Sequence, residues 1–232
     1  MASPRGTAPG REVLAFDLYG TLVDPIAIAG ELGRLLGEAE GREAAGRWRL
    51  KQLEYSFRLT AMGRYEDFRW VTARALDFAL ASLGARLPDG QAARLVELYD
   101  HLRPFPDAVT ALRALADRGY RLAVFSNGTP AMIGNCLGNS GLDEFFGPRI
   151  SVDEVRAFKP SPAVYRHAAD RLSVPIGEVR LVTSNAFDCV GAGAAGMRTA
   201  WVNRSAGPFD TIGAQPDLTV PALDRLPAAL AG

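Results

Sequence analysis

VLAFDLYGTLVDP, Val13 to Pro25, is the stretch on which the reading of the whole chain turns. Four apolar residues, Val13 to Phe16, run into Asp17, and a turn follows with Gly20 at its bend and Thr21 after it. A short apolar run closed by a turn is the pattern of a buried strand. Asp17 then stands at the strand's carboxyl end, the edge at which open α/β sheets bind ligands. A carboxylate is costly to bury there unless something pairs with it or uses it. Asp17 is therefore a candidate reactive group.

Outward from this stretch the pattern changes. From Ile26 to about Leu102 the period is helical, and no strand is expected. Leu50, Leu53 and Phe57 fall on one helical face, Phe68, Val71, Ala75 and Phe78 on another, and Leu95, Leu98 and Leu102 on a third. Such stripes bury a face against neighbouring helices. Pro104-Phe105-Pro106 marks the return to alternating elements. Asp107 to Arg118 reads as a helix closed by Gly119. Arg121–Asn127, Val179–Ser184 and Arg198–Asn203 read as strands, with Leu218–Val220 as an edge strand. Thr129-Pro130 and Ser161-Pro162 each look like a cap followed by the first helical residue, whereas Ser151 to Lys159 looks irregular. Alternating strands and helices imply a parallel, Rossmann-like α/β core. The expected division is a leader (1–12), a core (13–25 and 104–232) and an inserted helical cap subdomain (26–103).

Composition narrows the partners. The chain has 232 residues, with 26 Lys and Arg against 26 Asp and Glu, so its formal net charge is zero. That length suits one large domain or a core with an insertion. With no basic tract, neither nucleic acid nor an anionic membrane is an expected partner, and no apolar run is long enough to span a bilayer. Residues 1–12 lack the apolar stretch of a secretory signal and read as flexible. Cys136 and Cys189 lie outside any C-x-x-C or metal-ligand spacing and read as buried, reduced thiols of a cytoplasmic protein. His101 and His167 have no Cys or His neighbour at ligand spacing, so no metal site is expected. Gly191, Gly193 and Gly196 spell G-x-G-x-x-G inside an expected helix rather than in a strand-to-helix turn. They read as a small-residue face against the sheet, not as a dinucleotide site.

Three strand ends carry polar groups: Asp17; Ser126 and Asn127; and Thr183, Ser184 and Asn185, with Asp188 following. Lys159 stands in a loop before Pro160. In a parallel sheet these ends share one edge and converge on one crevice. Arg49 has no acidic residue three or four positions away on its helix, so a local ion pair is not its evident role.

D-x-Y-G-T-L resembles the nucleophile loop of the haloacid dehalogenase superfamily. SNGTP (126–130), FKPSPAVY (158–165) and TSNAFD (183–188) resemble the later motifs of its L-2-haloacid dehalogenase (type II) branch, and WRLKQLEY (48–55) resembles that branch's cap-helix motif. The likeness runs from about Val13 to Asn203. Phosphatases of the superfamily carry a second Asp two residues after the first, as a general acid; here Tyr19 stands there. Expelling a halide needs no proton, whereas expelling an alkoxide usually does.

The resemblance implies a HAD-like fold and hydrolysis of short L-2-haloacids to D-2-hydroxy acids, through an aspartyl ester and with inversion at C2. Asp17 would be the nucleophile and Thr21 would hold it. Arg49 would meet the halide and the substrate. Ser126 and the amides of Leu18 and Tyr19 would bind the substrate carboxylate, and Asn127 and Phe187 would help line the halide site. Lys159 would balance Asp17 and Asp188. Tyr165, Thr183, Asn185 and Asp188 would complete the polar network and handle the hydrolytic water, and Leu53 and Phe68 would line the apolar pocket. No cofactor and no metal are implied; the ligands are a 2-haloalkanoic acid and halide ion, and the family suggests a cytoplasmic homodimer. Thr183 departs from the branch's usual Ser: the hydroxyl survives, but the added methyl narrows the space. Two other readings remain open, a magnesium-dependent phosphatase using Asp17 and Asp188 as ligands, and a binding protein of the same fold without turnover.

Overall fold

The computed structural model describes residues 12–231. The expected leader therefore lies outside the described residues except for Glu12, whose carboxylate accepts from Arg180 Nε at 2.9 Å and Arg198 Nη1 at 3.3 Å.

Six strands form one parallel sheet: β1 (Val13–Phe16), β2 (Arg121–Ser126), β3 (Arg149–Ser151), β4 (Val179–Thr183), β5 (Arg198–Val202) and β6 (Leu218–Val220), in the order β3-β2-β1-β4-β5-β6. β1 lies between β2 and β4 and is buried along its whole length. This is why it reads as a continuous apolar run rather than an alternating one. Phe16 is level with Val124 on one side and Val182 on the other. That register brings the carboxyl ends of β1, β2 and β4 to one edge. The strand order also reverses beside β1, where open sheets form their ligand crevice.

One strand was not foreseen. β3 is three residues long, follows Pro148 and begins on an exposed Arg149, too little apolar sequence for a periodicity argument. It holds its place as the edge strand beside β2, with Phe125 level with Ile150.

Between β1 and β2 the chain runs through α1 (Ala29–Leu36), α2 (Glu38–Ala61), α3 (Phe68–Ser82) and α4 (Gln91–Glu97). The stripe expected on α2 is corrected. Leu50 is 71% exposed, and the buried positions are Gly41, Ala44, Ala45, Trp48, Gln52, Ser56 and Leu59. They recur at helical spacing, but apart from Trp48 and Leu59 the face is built of small and polar residues, which a hydrophobicity pattern does not register. Phe78 on α3 is likewise 42% exposed, edge-to-face with Tyr55 and 3.9 Å beneath the Lys51 ammonium. The chain leaves and re-enters the sheet layer along paired segments, with Asp24 N bonded to the Arg103 carbonyl at 3.2 Å and Phe105 N to that of Leu22 at 2.9 Å.

The remaining helices are α5 (Ala108–Asp117), α6 (Pro130–Ser140), α7 (Pro162–Leu172), α8 (Ala186–Ala195) and α9 (Leu226–Ala229). Thr129 caps α6 by accepting from Met132 N, whereas Ser161 stands at the corresponding place on α7 without a side-chain cap bond. The glycine face of α8 also needs correcting. A Cβ on Gly191 would stand 2.5 Å from Pro160 and 2.6 Å from the Tyr165 hydroxyl, so the tightest approach is to α7 and its leading loop, whereas Gly193 does face the sheet, 4.0 Å from the Thr199 methyl of β5.

Candidate active site

β1 delivers Asp17 to the carboxyl edge with its backbone already fixed, because its amide bonds to the Val182 carbonyl at 3.0 Å. The chain then coils on itself. The Gly20 amide donates to the Val23 carbonyl, and those of Thr21, Leu22 and Val23 all point to the Leu18 carbonyl. Gly20 has φ +93°, a conformation that favours glycine. Among the described residues the amides of Leu18 and Tyr19 donate to no protein acceptor. Two backbone donors beside Asp17 are thus left for a ligand.

The buried Asp17 carboxylate is held unevenly. Oδ2 accepts from Asn185 Nδ2 at 2.8 Å, Thr21 Oγ1 at 3.0 Å and Thr183 Oγ1 at 3.5 Å. Among the described residues Oδ1 accepts from Lys159 Nζ alone, at 3.2 Å. The same ammonium donates to Asp188 Oδ2 at 2.8 Å and to the Phe125 carbonyl at 2.8 Å, so its three protons are spoken for. Burial alone would depress the Lys159 amine, but the charges of Asp17 and Asp188 outweigh it and raise the amine above its ordinary value. Asp188 takes the Tyr165 hydroxyl on Oδ1 at 2.8 Å. Its pKa is raised first by burial; Lys159 opposes the shift and the Asp17 charge adds to it.

Asn185 stands at the N-cap position of α8, yet its side chain makes no cap bond. Instead Nδ2 reaches Asp17 and the Tyr19 carbonyl, while Oδ1 lies 3.5 Å from Arg49 Nη2. The Thr183 hydroxyl accepts from Asn185 N at 3.1 Å, and that of Thr21 accepts from Ser184 N at 2.8 Å. The end of β4 is therefore tied directly to the Asp17 loop.

Arg49 reaches over from α2. Its Nη2 donates to the Tyr19 carbonyl at 3.1 Å and its Nη1 to Gln52 Oε1 at 2.8 Å. Below it, Tyr19 stacks on Phe68 with ring centroids 5.7 Å apart and tilts against Tyr99 at 5.5 Å. Burial raises the Tyr19 phenol well above its ordinary value, and its hydroxyl has no partner among the described residues.

These groups surround a narrow, partly open cavity with about 10 Å³ of free room. Asp17, Ser126, Asn127, Lys159 and Asn185 line its polar side, and Tyr19, Leu53, Phe68 and Phe187 its apolar side, with Arg49 between them. Thr21, Tyr165, Thr183 and Asp188 stand outside the lining, and the first, third and fourth of these contact Asp17 or Lys159 directly. Leu18 can contribute only backbone, since its side chain is buried in the core. Asn127 Oδ1 accepts from Lys159 N at 3.0 Å, and Ser126 Oγ accepts from Gly128 N at 3.1 Å. The site residues expected from sequence thus line this cavity or contact a residue that does, except Tyr165, which reaches it only through Asp188. Among the described residues no group of three His, Cys, Asp or Glu side chains could hold a metal ion.

Sequence reasoning missed the residues that support this cavity from the helical side. The lack of an acidic residue near Arg49 on its helix does not reveal Gln52, three positions on, whose neutral amide accepts from it. Tyr65, which donates to Asp153 at 2.5 Å, and Thr60, which accepts from Phe158 N at 3.0 Å, tie the end of α2 to the segment leading into Lys159. No local pattern marks either bond, because the partners are far apart in the chain.

Residues 12–196 match the family model described as haloacid dehalogenase-like hydrolase. The chain is 39% identical over 215 residues to haloacetate dehalogenase H-2 of Moraxella sp. (strain B), covering 93% of this chain and 96% of that protein. It is 42% identical over 216 residues to (S)-2-haloacid dehalogenase 1 of Pseudomonas sp. (strain CBS-3), covering 93% and 94%. The structure of L-2-haloacid dehalogenase from Xanthobacter autotrophicus with chloropropionic acid covalently bound superposes with a TM-score of 0.89 at 35% identity, over 96% of this chain and 99% of that one.

Proposed function

The chain belongs to the L-2-haloacid dehalogenases of the haloacid dehalogenase-like hydrolase family, and from that premise we propose that it hydrolyses short L-2-haloacids to D-2-hydroxy acids through an ester on Asp17. The observation that carries the reading is the uneven hold on the Asp17 carboxylate. Oδ2 carries three donors and is the poorer nucleophile, whereas Oδ1 meets only the Lys159 ammonium. In the proposal, residues 26–103 act as a cap over a core of 13–25 and 104–232. The substrate carboxylate takes the Ser126 hydroxyl and the free amides of Leu18 and Tyr19, which sets C2 in line with Oδ1. Oδ1 attacks C2 from the side opposite the halogen, the carbon–halogen bond breaks, and the centre inverts. Arg49 and Asn127 receive the developing halide in a site with little water, where such donors act most strongly. Water then attacks the carboxyl carbon of the ester, the C–O bond to Asp17 breaks on the carboxyl side, and the hydroxy acid leaves. Tyr165, Thr183, Asn185 and Asp188 order that water and its proton.

The phosphatase reading is weaker on two counts. Tyr19 places a deeply buried phenol where a carboxylic acid would protonate an alkoxide, and both Asp188 oxygens are already taken by Lys159 and Tyr165. A cytoplasmic homodimer belongs to the same proposal. The test is free chloride from each enantiomer of 2-chloropropionate, with and without excess chelator. Release from the L form, undiminished by chelator, is the expected result. Equal rates on both hands, or loss of activity restored by magnesium, would contradict it; no release at all would return the chain to the binding-protein reading.

A further inference from the structure

Arg49 must be aimed without being neutralised. A carboxylate beside it would fix its direction, but would also form an ion pair in a poorly solvated site and compete with any anion the guanidinium is meant to receive. What stands beside it is an amide. Gln52 is fully buried on the inner face of α2, and its Oε1 accepts from Arg49 Nη1 at 2.8 Å. Its Nε2 donates to Thr72 Oγ1 on α3 at 2.7 Å, and the Thr72 hydroxyl in turn donates to the Phe68 carbonyl at 2.6 Å. The Tyr99 phenol lies close by, and burial pushes it up to about 12 against the nearby Arg49 charge and the Gln52 amide.

This chain has a direction. The one proton of the Thr72 hydroxyl is used on Phe68, so Thr72 can only accept from Gln52. The amide must therefore present its NH₂ to Thr72 and its carbonyl to Arg49, and it cannot flip without breaking both bonds. Trp48 Nε1 donates to the Thr72 carbonyl at 2.8 Å and holds the same turn of α3.

We propose that Gln52 is the positioning residue of Arg49: a neutral acceptor, oriented by Thr72, that fixes the guanidinium over the Asp17 cavity and leaves its charge available to the departing halide. The inference rests on the dehalogenase reading. It separates two properties that an ion pair would merge, where the guanidinium points and how much charge it offers.

The test uses Gln52→Glu and Thr72→Val, with Tm recorded for each. Gln52→Glu keeps the shape and the acceptor but adds a negative charge. Ester formation on Asp17, followed by rapid quench, should fall roughly ten- to a hundredfold, a part of the 10²–10³ that a positioned donor supplies. Hydrolysis of the ester should be little changed. The loss should be larger for 2-chloropropionate than for 2-iodopropionate, because iodide leaves with less help, and inhibition by bromide should weaken. Thr72→Val removes the group that orients the amide and should give the same pattern at smaller amplitude, so it bears the test alone if Gln52→Glu does not fold. A merely structural role would move Tm without changing the dependence on the leaving group. Wild-type ester formation and bromide inhibition in a folded variant, or equal losses on the chloro and iodo substrates, would overturn the proposal. A wild-type protein that releases no halide from any 2-haloacid would instead overturn the dehalogenase reading itself.

Discussion

At the scale of single residues, the site is a matter of how few lone pairs are left over. Thr183 is fully buried and its hydroxyl joins three groups, accepting from Asn185 N while facing Asp17 Oδ2 and the Thr21 hydroxyl. The hydroxyl and the methyl can be tested apart. Thr183→Ser keeps every bond and removes a buried methyl, so it should cost about 1 kcal/mol of stability and leave turnover within a few-fold of wild type. Thr183→Val keeps the volume and removes the hydroxyl, leaving the Asn185 amide unpaired; turnover should fall by well over tenfold with a smaller change in shape. Denaturant unfolding and steady-state rates on the two variants check this, and a Ser variant worse than Val would contradict it. Such residues were legible in the sequence because they are polar side chains at strand ends. Gln52 was not, since a lone amide on a helix has no pattern, and its meaning comes from Thr72 on another helix.

At the scale of elements, strands were easier to read than the faces of helices. β1, β2, β4 and β5 are apolar runs ended by turn residues, and their ends fell within a residue or two of where they were expected. β3 was lost because three residues carry no period, and the α2 stripe was misplaced because most of its buried face is Gly, Ala, Gln and Ser, with Trp48 and Leu59 its only large apolar members. The same helix carries a consequence for access to the site. Tyr65, just beyond α2, donates to Asp153, stacks on Phe158 with centroids 5.2 Å apart and lies under the Arg156 guanidinium at 4.9 Å. Burial first, and the Asp153 bond next, raise its phenol and keep it protonated. A hydrogen bond to a charged group contributes about 1.5–3 kcal/mol. Tyr65→Phe should therefore loosen the α2–α3 layer over the sheet edge: faster hydrogen exchange at Phe158 and Lys159, a raised KM and a kcat changed by less than about threefold. Unchanged exchange at those amides would show that the bond does not hold the layer.

At the scale of the whole molecule, the two layers divide the charges between them. The sheet layer supplies the Asp17 and Asp188 carboxylates and the Lys159 ammonium, and the helical layer supplies the Arg49 guanidinium. Two negative and two positive groups thus share one buried site. In the proposed reaction the substrate carboxylate brings a third negative group, ester formation passes the Asp17 charge to the halide, and departure of the halide restores the balance. This arrangement was legible in outline, because a parallel sheet brings its strand ends together whatever the connecting lengths. The closeness of the fit was not: a cavity with only about 10 Å³ of free room between the layers depends on how Leu53, Phe68 and Phe187 meet across the chain. All of this presupposes that Asp17 itself bonds to the substrate. A single turnover of L-2-chloropropionate in ¹⁸O-labelled water, with enzyme in excess, tests that directly. The account predicts label in the Asp17 carboxylate and none in the hydroxyl of the product; label in the product hydroxyl after one turnover would mean that water attacks C2 and that Asp17 is not the nucleophile.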